Sequence, residues 1–280
     1  MKRPLWILVT AVVALAGCAP PLAPPARWHQ PAGPRPPASP APATWPAEPV
    51  RSWQWQLHGT LDLTVDAEVY ELDAFTTPAA AVDRLHTAGK RAVCYVNAGA
   101  YEDFRPDAGR FPAAVLGSPN GWPGERWLDV RRWDSLEPVL TDRFTLCRDK
   151  GFDAVEADNV DGYANRSGFP LTGQDQLTFN RALARLAHGL GLAVGLKNDL
   201  EQAESLEPDF DFAVNEECFR FSECELLDPF VAAGKSVLHV EYAVDTATFC
   251  RTTREYGFAS MRKHPSLDAW RQPCPTAPGR

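Results

Sequence analysis

The densest chemistry in this chain lies in Gly151–Tyr163, GFDAVEADNVDGY. An apolar, β-prone run through Phe152, Ala154 and Val155 ends in Glu156, Asp158, Asn159 and Asp161. That is the pattern of a buried parallel strand delivering polar groups to a site at its C-terminal end. Glu156 and Asp158 are two residues apart, so in an extended chain they point to the same side. Two carboxylates on one face repel each other, which a solvated acidic loop would avoid. The chemistry to expect is acid–base or nucleophilic work by paired carboxylates.

Other residues repeat the theme. Polar groups end further apolar runs at Asp73, Asn97, Asp129, Lys197, Asn198, Asp199, Glu216 and Glu241. Aromatic residues stand near them: Tyr95, Tyr101, Trp122, Trp127, Tyr163 and Tyr242. No Ser or Cys has the surroundings of a nucleophile. There is no His pair at metal spacing, and catalytic zinc sites usually include His, so no metal or other cofactor is expected. His239 has apolar neighbours and reads as a packed core residue. Carboxylate pairs with aromatic platforms are what glycoside hydrolysis needs. One acid protonates the leaving oxygen, the other acts as nucleophile or base, and aromatic faces stack on sugar rings.

Eight apolar runs position these groups, alternating with helix-like segments: 69–73, 91–97, 127–130, 152–158, 192–198, 212–216, 236–242 and 258–263. Helices are expected over 78–89, 134–150 and 175–190. Eight strand–helix repeats in about 220 residues predict a single α/β domain, a (β/α)₈ TIM barrel over 51–274, with every polar strand end at one mouth. A doubly wound sheet is the alternative, but it normally carries a Gly-rich phosphate loop, and neither GxGxxG nor GxxxxGK[ST] occurs.

Residues 1–17 read as a lipoprotein signal peptide. Lys2 and Arg3 precede an apolar stretch too short to span a bilayer, and Leu-Ala-Gly-Cys follows it. Lipidation at Cys18 is therefore expected, with the protein exported and anchored to a bacterial membrane at its periplasmic face or the cell surface. Residues 18–50 form a linker, with 12 of the chain's 26 prolines in 19–50. Extended polyproline of about 30 residues at about 3.1 Å each would reach roughly 90 Å.

A net charge of −8 speaks against nucleic acid and for a neutral or cationic substrate. A monomer is expected. Six cysteines follow Cys18. Export permits disulfides, and their spacing fits no zinc motif. Cys218–Cys224 is the most natural bridge and Cys250–Cys274 the next. Cys94 and Cys147 read as buried free thiols.

Seven stretches, in order, resemble glycoside hydrolase family 114: WQWQL (53–57), CYVNAGAYEDFRPDA (94–108), GWPGERWLDVR (121–131), VEADNVDGY (155–163), DQLTFNRALARLAH (175–188), GLKND (195–199) and VNEECF (214–219). The resemblance implies a (β/α)₈ barrel acting as an endo-α-1,4-polygalactosaminidase on partly deacetylated, galactosamine-containing polysaccharide, with no metal. It places the catalytic acids at Asp158 and Glu216. Where relatives often have VNEQC this chain has VNEEC, so Glu217 adds a nearby charge. Asp73, Tyr95, Asp129, Glu156, Asn159, Asp161, Lys197, Asn198, Asp199, Glu241 and Tyr242 are the expected substrate-binding residues. Of these, Asp161 and Glu156 would hold a cationic sugar, and Lys197 would keep one acid ionised. Strand spacing allows carboxylates about 5 Å apart (retaining) or about 8 Å apart (inverting). The rival reading is a surface lipoprotein that binds polysaccharide without cleaving it.

Overall fold

The computed structural model describes residues 45, 46 and 48–275. The signal, Cys18 and most of the Pro-rich segment lie outside the described residues. The described residues form twelve strands: β1 (Trp53–Gln56), β2 (Val69–Asp73), β3 (Arg91–Asn97), β4 (Ala100–Glu102), β5 (Leu116–Pro119), β6 (Glu125–Leu128), β7 (Ala154–Asp158), β8 (Ala193–Lys197), β9 (Phe212–Glu216), β10 (Ser236–Glu241), β11 (Ala259–Lys263) and β12 (Arg271–Pro273). The α-helices are α1 (Ala79–Thr87), α2 (Trp133–Asp149), α3 (Gly173–Gly189), α4 (Ala203–Leu206), α5 (Cys218–Phe221), α6 (Asp228–Ala232) and α7 (Thr246–Glu255). Among the described residues, no helix is long and apolar enough to cross a membrane.

Eight parallel strands form the barrel in the order β1-β2-β3-β7-β8-β9-β10-β11, and β12 adds antiparallel to β11. The ring is nearly closed. At its seam Trp53 Nε1 donates to Ala259 O (2.9 Å), Lys263 Nζ to Gln54 Oε1 (3.3 Å) and Leu57 N to Leu267 O (2.9 Å). The strands are buried on both faces, because helices cover the outside and side chains fill the inside. Trp53, Trp55, Val69, Tyr95, Phe212, Val214 and Leu238 belong to the inner cluster. Tyr70, Leu72, Val96, Leu140, Phe144 and Leu183 belong to the outer one, against the helices.

The expected count of eight strands holds, but one member differs. Residues 127–130 do not enter the barrel. Their strand, β6, joins β4 and β5 in a separate antiparallel sheet inserted between β3 and α2. The eighth barrel strand is instead β1, a four-residue WQWQ run too short and too polar to register as a buried strand. Gln54 and Gln56 satisfy their amides on nearby carbonyls. Arg143 of α2 ties the insertion down, with bonds to both Asp107 oxygens (2.8 and 2.9 Å) and to Asn97 O (2.7 Å).

Two further expectations change. Cys94 and Cys147 are not free thiols. They form a disulfide between β3 and α2, alongside Cys218–Cys224 and Cys250–Cys274. A strand and a helix 53 residues apart are brought together by packing that local sequence does not reveal. The packed chain also begins before residue 51. Trp45 stacks on Phe212 (centroids 4.0 Å apart), and Val50 N donates to Ser236 Oγ (2.9 Å), where β9 and β10 start.

Candidate active site

Each barrel strand alternates inward and outward residues, so parity decides which strand ends reach the mouth. Asp73, Tyr95, Asn97, Glu156, Asp158, Lys197 and Glu216 share the inward parity of Val69, Val93, Ala154, Gly195 and Val214. Three successive strands then turn sharply. Asn159 (φ 61°), Asn198 (φ 48°) and Glu217 (φ 63°) are left-handed immediately after Asp158, Lys197 and Glu216. Asn tolerates that conformation and Glu does so less readily, so backbone strain gathers at this rim. The turn at Asn159 aims its own N–H at Asp158 Oδ1 (2.8 Å). Gly99 permits the approach, since a Cβ there would lie 1.7 Å from Asn159 O.

The centre is Lys197, whose side chain is only 3% exposed. Its Nζ lies 2.9 Å from Asp158 Oδ1, 3.2 Å from Glu216 Oε2 and 3.4 Å from Glu156 Oε1. It also sits 4.7 Å from the ring centroid of Trp55, which lines the mouth. Asp158 receives further bonds from Tyr95 OH (2.7 Å) and Asn159 Nδ2 (3.1 Å). Burial pushes its carboxyl up, but the Lys197 charge and these donors prevail and hold it below the ordinary value. Glu216 accepts from Tyr242 OH and from Asn198 Nδ2 (3.2 Å).

Beneath this layer Glu71 and Glu156 meet in the barrel interior, both fully buried. Apart from Lys197 beside Glu156, no N–H or O–H reaches either carboxyl. Two buried carboxyls in one interior cannot both carry charge cheaply. Burial, then the charge of Glu156, drives Glu71 well above the carboxylate range. Burial likewise pushes Glu156 to about 8, against the pull of Lys197.

A cleft of about 1450 Å³ opens above, lined by Asp73, Tyr95, Asp158, Asn159, Asp161, Lys197, Asn198, Glu216 and Tyr242 among others. The side chains of Asp158 and Glu216 keep 18% and 28% exposure, whereas Glu156 keeps none. Glu156 therefore supports Lys197 from below and does not meet a sugar. Three other expected binding residues do not line the cleft. Asp129 follows β6 and pairs with Arg131 (2.7 Å). Asp199 turns away and accepts from Asn180 Nδ2 (2.9 Å). Glu241 has the outward parity of His239 and accepts from Phe219 N (3.0 Å) and His239 Nε2 (3.0 Å), which fixes the start of α5. Asp73 lines the cleft but is engaged by Arg105 (2.7 Å) and by Thr76 N (2.8 Å).

Of the expected platforms, Tyr95, Trp122, Trp127 and Tyr242 line the cleft. Tyr101 packs on Phe111, and Tyr163 faces Glu201. Sequence reasoning missed Trp55, Phe104, Glu125 and Phe221, all in the lining. Glu125 lies in the inserted sheet and accepts from Asn120 Nδ2 (2.8 Å) and Asn97 Nδ2 (3.2 Å). Only its place in GWPGERW could have marked it. Cys218, Cys224 and His239 also cluster, but the two sulfurs are bonded to each other, which leaves one imidazole and no metal site.

Known proteins resemble this chain in sequence and fold. Ega3 of Aspergillus fumigatus, solved in complex with galactosamine, is 34% identical over 83% of this chain and 98% of its own, with a TM-score of 0.78. The glycoside hydrolase domain of PelA from Pseudomonas aeruginosa is 17% identical over 79% of this chain and 98% of its own, with a TM-score of 0.64, a likeness of fold. No curated protein matches the chain. The profile of glycoside-hydrolase family GH114 matches residues 34–278. That match spans most of the sequence, so the chain belongs to family GH114 and the barrel mouth is that of a glycosidase.

Proposed function

We propose that the protein is an endo-acting glycoside hydrolase of α-1,4-linked, galactosamine-containing polysaccharide, with Asp158 as nucleophile and Glu216 as general acid and base. The observation that carries the assignment is Lys197, which contacts both carboxylates. In the first step Asp158 Oδ attacks the anomeric carbon, the glycosidic C–O bond breaks, and the Glu216 proton passes to the leaving oxygen. Asp158 becomes a neutral ester as Glu216 becomes an anion. The negative charge moves between two groups that share one ammonium, so no buried charge loses its partner. In the second step Glu216 takes a proton from water, whose oxygen attacks the same carbon and releases Asp158.

Because Lys197 spans both acids, their nearer oxygens lie within about 6 Å of each other, closer to retaining than to inverting pairs. The galactosamine bound to Ega3 and the carboxylates lining the cleft, Asp161 among them, support a cationic amino-sugar substrate. Placement of the enzyme on a membrane through lipidated Cys18 rests on the Leu-Ala-Gly-Cys ending.

The test is reducing-end release from polygalactosamine. Asp158→Asn and Glu216→Gln should each lower turnover by at least about 10²–10⁴-fold while polymer binding survives. Substantial hydrolysis by either variant rejects the pair. Binding without cleavage by the wild type would favour the non-catalytic lipoprotein.

A further inference from the structure

Six large hydrophobic side chains are exposed among the described residues, and the three most exposed are Phe104 (61%), Trp122 (59%) and Phe221 (59%). All three line the cleft. Phe104 follows β4, just past barrel strand β3, and Phe221 ends α5, just past β9. In the eight-strand ring β3 is third and β9 sixth, so the two rings stand on nearly opposite banks of the mouth.

Each is backed in the same way. The Arg105 guanidinium lies 5.3 Å from the Phe104 centroid, and the Arg220 guanidinium 5.3 Å from the Phe221 centroid. Arg105 is held by Asp73 (2.7 Å) and Glu102 (2.8 Å), and Arg220 by Glu217 (2.8 Å). A paired guanidinium on a ring's face limits its motion and leaves other ring surface toward the cleft, so a ligand meets a pre-set surface. Exposure of such rings forgoes the free energy of burying them.

We propose that Phe104 and Phe221 are sugar-stacking platforms on opposite sides of the scissile bond, forming outer subsites for hexosamine rings of the polymer. This rests on the substrate reading above. A galacto-configured pyranose suits them, because its axial O4 leaves C3–H, C4–H and C5–H together on one face. A 2-ammonium group adds attraction to the ring and to the acidic cleft. The platforms also explain endo action: a chain that rests on both banks must be cut internally.

Phe104→Ala and Phe221→Ala, both at exposed positions, are compared with wild type on α-1,4-galactosamine oligomers of graded length. Each should lower kcat/KM on long oligomers about tenfold, equivalent to ~1.4 kcal/mol. The loss should shrink steadily as the oligomer shortens, and Phe104→Trp and Phe221→Trp should keep wild-type activity. The two variants should shift the favoured cleavage position in opposite directions. Equal losses at all lengths, or no loss, overturn the proposal. If the wild type binds polymer without cleaving it, weaker binding by both variants upholds the platforms while the catalytic reading falls. A wild type that neither binds nor cleaves ends both.

Discussion

Replacing Lys197 with methionine keeps the aliphatic stem and removes the one charge that three carboxylates share. At about 3 Å, in a medium of effective dielectric about 20, each contact is worth roughly 5 kcal/mol before the cost of burying the ammonium is subtracted. Removing one partner of a buried ionic cluster typically costs about 3–5 kcal/mol net. That cost must vary with pH, in a definite direction. Glu156 is raised to about 8 in the folded protein from an ordinary 4.5. A raised group stabilises the fold fully below its unfolded value, and that contribution is lost as pH rises through the folded value. Without Lys197, Glu156 climbs further and the depressed carboxyl of Asp158 rises too. Wild type and Lys197→Met are therefore compared by urea unfolding at about pH 6 and about pH 9. The stability gap should widen as pH rises through about 8, where Glu156 ionises beside the ammonium in the wild type and stays protonated in the variant. In the same variant the acid limb of kcat/KM should move upward, since Asp158 must ionise to attack. A gap independent of pH, or a variant as stable as wild type at about pH 9, would refute the shared-charge account.

Two other outcomes follow from the chain's N-terminal half. Deleting residues 19–44 should leave the unfolding midpoint unchanged, whereas Trp45→Ala should destabilise by roughly 1–2 kcal/mol through loss of the Phe212 stack; equal stability of the two proteins would disprove docking of Trp45. Cys18→Ala should move the exported protein from the membrane fraction to the soluble one or impair its processing, and identical fractionation of variant and wild type would rule out the anchor.

What the sequence alone determined is governed by local periodicity. Apolar runs with polar ends announced a parallel barrel and its working mouth, because strands buried on both faces must be apolar and only their ends can carry charge. Thr172 and Asp175 form a capping box at the start of α3, within two residues of the expected boundary. The spacing of Glu156 and Asp158 correctly put both on one face.

Depth and partners are tertiary quantities, and only the fold decided them. Two residues along one strand separate an acid that meets the cleft, Asp158, from one that is sealed below it, Glu156. Glu241 ends its strand like the others, yet its parity turns it toward α5. Trp127 belongs to an inserted sheet, because its strand pairs with β4 and β5 rather than with the ring. Cys94 and Cys147 meet only when α2 packs on β3. The sequence reading expects Lys197 to keep one acid ionised; its place between both Asp158 and Glu216 depends on β8 lying between β7 and β9, with all three side chains pointing inward. Phe104 and Phe221 gave no periodic signal, because an exposed aromatic acquires meaning only from the opening it faces.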